Sequence, residues 1–106
     1  MTIYYLMIVA VPRSTNPEIM EFGGAYVNCW VKAATPEDAI DRAREYIEQE
    51  NWVFLKAEEM WAAQRCFYIN LPDSLACFDE ACRYGLNAIF NTWPIDEASI
   101  SSLLKS

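Results

Sequence analysis

The sequence predicts an α+β fold, in which a four- or five-stranded, mainly antiparallel sheet carries two helices packed on one face. Three observations support this prediction: an apolar run of strand length at the start of the chain, a following segment in which small and large side chains alternate, and two later segments with the periodicity of amphipathic helices. With 106 residues, of which 54% are hydrophobic, the chain can bury a core of its own. We therefore expect residues 1–106 to form a single domain.

The first two strands are expected to pair with each other, with the first at the centre of the sheet. Residues 3–11 (β1) are apolar throughout and end before Pro12, so both faces of this strand should be covered. In residues 25–33 (β2) the odd-numbered side chains are small, which suits a position beneath a helix. Residues 12–24 contain several Pro, Gly and Asn residues and predict a long loop that joins the two strands as an antiparallel pair. The even-numbered side chains of β2 are larger or polar: Tyr26, Asn28, Trp30 and Lys32.

A helix, α1, follows these strands. Thr35 precedes a proline and two acidic residues, which is typical of a capped helix start, and the helix is expected to end near Asn51. At about 100° per residue, its apolar side chains fill an arc of about 120°. Asp41, Glu45 and Glu48 lie opposite that arc and within about 60° of one another, so they predict an acidic outer surface.

The second half of the chain predicts a strand, a helix and a last strand. Residues 52–60 begin with apolar side chains and are interpreted as β3, but residues 56–63 have high helix propensity, which leaves a helix as the alternative. Residues 66–71 are either a short strand or an extended lead-in. Helix α2 begins at Pro72 and ends at Gly85, a residue suited to a left-handed C-cap, and residues 86–93 form β4. Residues 96–105 predict a short terminal helix, and the order is β1-β2-α1-β3-α2-β4.

The second face of the predicted sheet needs a cover. β1 is apolar on both sides and β2 presents two aromatic rings to this face, so it should not stay bare. The C-terminal segment, the long loop or a second copy of the chain could cover it. Tyr26, Asn28, Trp30 and Lys32 are therefore either packed beneath the C-terminal segment or part of a dimer or ligand-binding face.

The net charge restricts the partners that the chain can bind. Eight basic and fifteen acidic side chains give a formal charge of −7, which disfavours direct binding of nucleic acid or of an anionic membrane. A basic protein partner and simple solubility are both compatible with this charge. No secretory signal precedes β1, and β1 is too short to span a bilayer, so we expect a cytoplasmic protein without membrane contact.

No residue pattern indicates catalysis or metal binding. The chain has no histidine, which excludes Ser-His and Cys-His nucleophile pairs, and its three glycines form no phosphate-binding loop. Cys29, Cys66, Cys77 and Cys82 lie in apolar stretches and predict free, buried thiols in a reducing compartment. Cys77 and Cys82 would point about 140° apart on a helix, so we expect neither a shared metal ion nor a cofactor.

Two acidic groups are candidates for contact with a basic protein. The first is the set on α1, Asp41, Glu45 and Glu48. The second is the adjacent pair Glu58 and Glu59, which should point to opposite faces of a strand and so would not act together as an acid and a base. Each group is either a solvated surface or a contact for a basic partner.

The pattern of elements resembles the ferredoxin-like and related split α+β proteins that are common in bacteria. The resemblance covers most of residues 3–94: paired strands, a helix that starts Thr-Pro-Glu-Asp-Ala-Ile, and a helix-Gly-strand unit that ends Phe-Asn-Thr-Trp-Pro. Many such proteins are uncharacterised, and some small acidic ones are toxin-immunity proteins or other stoichiometric inhibitors. The resemblance implies the fold, and no site residue is carried over from it.

Three functional hypotheses follow. The first is a non-enzymatic acidic binding protein, of the immunity type, that inhibits a basic protein partner; acidity, small size and surplus aromatic residues favour it. The second is a homodimer that binds a small molecule between apolar sheet faces, which the two-sided apolar β1 favours. The third, an enzyme that uses carboxylates and tyrosines, ranks last because no catalytic constellation supports it.

Overall fold

The computed structural model describes residues 1–95, which form four strands and two α-helices in the predicted order. Their bounds are β1 Thr2–Pro12, β2 Phe22–Ala33, α1 Pro36–Gln49, β3 Trp52–Ala63, α2 Pro72–Tyr84 and β4 Leu86–Pro94. All strand pairs are antiparallel, and the sheet order is β3-β1-β2-β4. The predicted α+β fold class and the order β1-β2-α1-β3-α2-β4 are confirmed, with four strands in the described part of the chain.

Two local alternatives are decided by the structure. Residues 56–63 belong to β3, so the helical alternative for them is wrong; edge pairing with β1 overrides their helix propensity. The segment at residues 66–71 is not a strand, because Arg65–Tyr68 forms a 3₁₀ turn that Arg65 ties to α2 through Asp79. Arg65 donates two hydrogen bonds to the Asp79 carboxylate, 3.0 and 3.2 Å long, and these bonds lower the pKa of Asp79. The predicted terminal helix, residues 96–105, lies outside the described residues.

β1 is one of the two inner strands and is buried on both faces, as the sequence predicts. It pairs with β2 from Thr2 to Ala10 and with β3 on its other side. Leu6 and Ile8 project from one face and are fully buried, while Ile3 and Tyr5 project from the other and are also buried. Each face of the sheet therefore has a hydrophobic core of its own.

The first core lies between the sheet and α1. Ala39, Ala43 and Ile47 of the helix pack onto Leu6, Ile8 and the small odd-numbered side chains of β2. The helix starts where the sequence predicts, since the Thr35 hydroxyl accepts a hydrogen bond from the amide of Asp38 at 3.1 Å. Trp52 of β3 and Phe90 of β4 also pack against this core. Their ring centroids are 5.5 Å apart, so side chains of the two edge strands are in contact with each other.

The prediction that both helices pack on one face is wrong, because α2 lies on the opposite face from α1. Phe78 and Ala81 of α2 pack with Tyr5 and Trp30, whose side chains project away from α1. The chain order explains this position. α2 connects the two edge strands, β3 and β4, and the sheet face that α1 does not cover has an apolar surface at one end for it to pack on. A helical wheel identifies the apolar stripe of a helix but not the sheet face that receives it.

The loop between β1 and β2, residues 13–21, is fastened to the turn between α1 and β3. The Asn51 carbonyl accepts hydrogen bonds from the Arg13 amide at 3.1 Å and from Asn16 Nδ2 at 2.9 Å. The Thr15 hydroxyl donates to Asn51 Oδ1 at 3.0 Å. Asn51 has a φ of 67°, a left-handed conformation that asparagine tolerates better than most residues. The turn and the loop therefore stabilise each other.

We predict that Ile47→Ala and Phe78→Ala each lower the free energy of unfolding by about 2–5 kcal/mol, because each removes a large buried side chain from a different core. Ile69→Ala is the matched control, since Ile69 is exposed and its truncation should change stability by less than about 0.5 kcal/mol. Chemical denaturation measures all three. If only Ile47→Ala were destabilising, α2 would not be anchored on the second face.

Candidate functional site

The α1 acidic face consists of Asp41, Glu45 and Glu48, and all three side chains are exposed on the outer side of the helix. Asp41 and Glu45 are four residues apart and Glu45 and Glu48 three apart, so they form one row along the helix. Within residues 1–95, Asp41 alone of the three has an ion-pair partner, Arg44 at 3.9 Å. The Arg44 guanidinium also lies 4.7 Å above the Phe54 ring. The predicted acidic surface is therefore present and little neutralised.

The position of this row on the helix is electrostatically unfavourable. Neighbouring like charges at these spacings each destabilise a helix by about 0.2–0.5 kcal/mol. The last turn of α1 contains no basic residue, and Glu48 lies there, next to the negative end of the helix dipole. Glu50, the C-cap residue, adds another negative charge at the same end. Helix stability alone would therefore disfavour a carboxylate at Glu45, and the dipole disfavours one at Glu48, although Arg44, four residues before Glu48, offsets part of that cost.

Glu58 and Glu59 are not part of the α1 acidic face. The pairing of β3 with β1 shifts register twice, and Glu58 is the extra residue at the first shift. Glu58 forms an ion pair with Lys56 at 3.3 Å. Glu59 lies opposite Met7, on the face that α2 covers, where its charge adds to burial in raising the pKa of Tyr5. The five candidate acids therefore lie on different surfaces.

The row Tyr26, Asn28, Trp30 and Lys32 lies on one face, as the sequence predicts, but α2 divides it. Trp30 is only 4% exposed, and its Nε1 donates a hydrogen bond to the Tyr68 hydroxyl at 3.1 Å. Lys32 Nζ donates to the carbonyl of Cys82 at 3.4 Å. The cover over this half of the row is α2 with the 3₁₀ turn, an alternative that the sequence did not suggest. Tyr26 and Asn28 lie beyond it.

We call the uncovered part of this face the open sheet end: Tyr26, Asn28, Ile89, Asn91 and Trp93. Tyr26, which is 44% exposed, packs against Trp93, and the centroids of the two rings are 4.9 Å apart. The Trp93 ring lies so close to Gly24 that a Cβ there would overlap it, which explains why this position is glycine. Asn91 Nδ2 donates to the Tyr26 carbonyl at 3.3 Å. Sequence reasoning missed Ile89, Asn91 and Trp93, because only the pairing of β4 with β2 places them near Tyr26.

All four cysteines are free, as predicted, but only two are buried. Burial raises the pKa of the Cys29 thiol to about 12, and it also raises that of Cys77. Cys66 and Cys82 are exposed, so the prediction of burial is wrong for them. Cys66 lies in the 3₁₀ turn, and Cys82 lies at the margin of the apolar stripe of α2.

We predict two reactivity classes among these thiols. In the native protein near pH 8, a chromogenic disulfide reagent should modify Cys66 and Cys82 rapidly, because both are exposed. Cys29 should react only after unfolding, since its raised pKa leaves almost no thiolate at that pH. Timed labelling followed by peptide mass spectrometry identifies each thiol. Rapid labelling of Cys29 in the folded chain would contradict its position beneath α1.

We predict that Tyr68→Phe lowers the free energy of unfolding by about 1–3 kcal/mol, because it leaves the buried Trp30 Nε1 without its acceptor. Tyr84→Phe makes the same chemical change at an exposed tyrosine and should leave stability unchanged. Thermal unfolding of both variants measures the difference. Equal midpoints would mean that this hydrogen bond contributes nothing to holding the 3₁₀ turn on the sheet.

Three further findings concern the described residues and the chain as a whole. Within residues 1–95, no three Cys, Asp or Glu side chains are grouped closely enough to hold a metal ion. In that range, neither helix combines the length and the apolarity needed to cross a membrane. Comparison of the chain with protein-family models, with the curated proteins and with the solved structures finds no match.

Proposed function

We propose that this protein is a non-enzymatic binding protein of the immunity type, which inhibits a basic protein partner through the α1 acidic face. The observation that carries the proposal is the placement of Glu45 and Glu48. Glu45 stands between Asp41 and Glu48, whose charges disfavour a carboxylate there, and Glu48 stands in the last turn, where the helix dipole disfavours one. A cost of this kind in folding is typical of residues that serve binding.

The rest of the molecule is compatible with this role. Helix α1 is packed tightly onto the sheet, because Ala39, Ala43 and Ile47 are fully buried. Its outer face is therefore held in a fixed position. A rigid acidic surface on a chain of charge −7 attracts a basic partner over a Debye length and raises the association rate. Stoichiometric inhibition requires only such a surface and a complementary partner.

The proposal predicts that Glu45→Lys stabilises the free protein. The new lysine would lie between Asp41 and Glu48, so two repulsive neighbours become attractive ones, with only Arg42 placed unfavourably. We expect the free energy of unfolding to rise by about 0.5–1 kcal/mol. Glu21→Lys, an exposed reversal in the loop, is the control and should have a smaller effect. Loss of stability in Glu45→Lys would remove the argument from electrostatic cost.

Binding is tested with two matched double reversals. Glu45→Lys with Glu48→Lys alters the α1 acidic face, and Glu18→Lys with Glu21→Lys makes the same charge change on the exposed β1–β2 loop. A partner is first captured from native lysate with the unaltered protein and identified. At low salt, its association rate should fall on the order of tenfold for the α1 variant, and this difference should vanish at high salt.

The loop variant should associate with that partner at close to the original rate. Equal rates for the two double variants would show that the α1 acidic face is only a solvated surface. Capture of an acidic partner, or of none, would count against an inhibitor of a basic protein.

A further inference from the structure

The two edges of the sheet differ in how they are protected against pairing with another strand. β3 has two register shifts, at Glu58 and Leu55, and carries the charged residues Lys56, Glu58 and Glu59. Bulges and charges of this kind are the usual means of blocking an edge. β4 has neither: Leu86–Pro94 contains no charged residue, and its pairing with β2 is regular from Leu86 to Trp93.

The backbone groups on the outer side of β4 can be assigned from the register. The Lys32 amide donates to the Gly85 carbonyl at 2.9 Å, and residue 32 lies opposite residue 85 in the continuation of the β2–β4 ladder. Alternate residues then face β2, and Leu86, Ala88, Phe90 and Thr92 direct their N–H and C=O groups outward. Among residues 1–95, no strand pairs with that side of β4.

We propose that β4 is a dimerisation edge that pairs antiparallel with β4 of a second copy of this chain, joining two four-stranded sheets into one. The charge distribution and the self-complementarity of the edge favour a second copy as the occupant. The chain carries −7 overall, so two copies repel each other along most approaches. β4 is a strip of nine residues without a charge of its own, along which two copies can meet without opposing like charges on the strands; Glu80 of α2, which accepts a hydrogen bond from Asn87 Nδ2 at 2.6 Å, is a carboxylate beside it. Antiparallel pairing is self-complementary, as a two-fold interface requires.

The outward groups allow a register in which the N–H and C=O of each outward-facing residue from Leu86 to Thr92 all find partners. With Ile89 opposite Ile89 of the partner subunit, Leu86 lies opposite Thr92 of the partner subunit and Ala88 opposite Phe90 of the partner subunit. These outward-facing residues would exchange about eight backbone hydrogen bonds across the two-fold axis. A shift that centres the axis on Phe90 would place Leu86 opposite Pro94 of the partner subunit and lose a donor, because proline has no N–H. The 41% exposed Ile89 side chain would be covered by its counterpart.

The pairing is independent of the proposed function, because it uses neither α1 nor the α1 acidic face. Edge pairing joins backbones along a line and buries less area than a stable face-to-face interface. We therefore expect a concentration-dependent dimer rather than a permanent one. The open sheet end, which includes Ile89 and Trp93 of β4, would continue across the axis into that of the second copy.

Disulfide trapping tests the register. In a background with Cys66→Ser and Cys82→Ser, Ile89→Cys should form a linked dimer on mild oxidation, because directly opposed, non-hydrogen-bonded residues have Cα atoms about 4.5 Å apart, which a disulfide can span. Asn91→Cys is the matched control on the same strand. In the proposed register its Cα lies about 13 Å from its counterpart, so it should stay monomeric. Equal linking of both variants would overturn the register.

Sedimentation of the unlinked protein tests the interface itself. The unaltered chain should show dimers that increase with concentration. Ile89→Lys and Thr92→Pro should abolish them, the first by adding opposed charges and the second by removing an outward N–H, with circular dichroism confirming that both variants fold. Leu55→Lys makes the same change on the β3 edge, at a residue that is 52% exposed, and should leave dimerisation unaltered.

Three results would overturn the proposal. One is a monomer at every concentration that sedimentation reaches. Another is equal loss of dimers in Leu55→Lys and Ile89→Lys. The third is a chain that dimerises only after cleavage beyond Ile95, which would mean that the C-terminal residues of the intact chain occupy the edge themselves.

Discussion

The structure depends on the burial of one central strand from both sides. Leu6 and Ile8 of β1 pack beneath α1, and Ile3 and Tyr5 pack beneath α2, so a single strand supplies two separate cores. A fold with both helices on one face would leave Tyr5 and Trp30 in water. For an aromatic side chain, the burial that this arrangement provides is worth at most about 4–6 kcal/mol. The position of α2 follows from that requirement.

The alternation of β2 then determines which surfaces remain for binding. Its small side chains admit α1 closely on one side, and α1 in turn presents its carboxylates to solvent on that side of the molecule. Its large side chains form a row that α2 covers only in part, which leaves Tyr26 exposed beside Trp93. The acidic helix face is consequently separate from the open sheet end and the β4 edge, which share residues of β4.

The sequence predicted features that depend on local patterns and failed where distant segments meet. The Thr35 cap and the left-handed Gly85, with a φ of 95°, could be predicted from the sequence because helix capping depends on neighbouring residues alone. The side of the sheet that α2 covers was not readable, nor was the burial of Trp30 beneath it, since both depend on strand order. For the same reason the sequence could not show which sheet face receives Glu59, because strand alternation does not relate a side chain to α1 until the strand pairing is known.

The attachment of the β1–β2 loop to Asn51 couples the motions of two distant segments. Asn51 follows the end of α1, where Glu48 and Glu50 weaken the last turn, and its carbonyl and side chain hold Arg13, Thr15 and Asn16. Fraying of that turn would release the loop, and release of the loop would remove hydrogen bonds that keep the turn closed. We therefore expect the two segments to open as one cooperative unit, with shared protection of their amides from hydrogen exchange. A partner that clamps the end of α1 would slow exchange in a loop that it never touches.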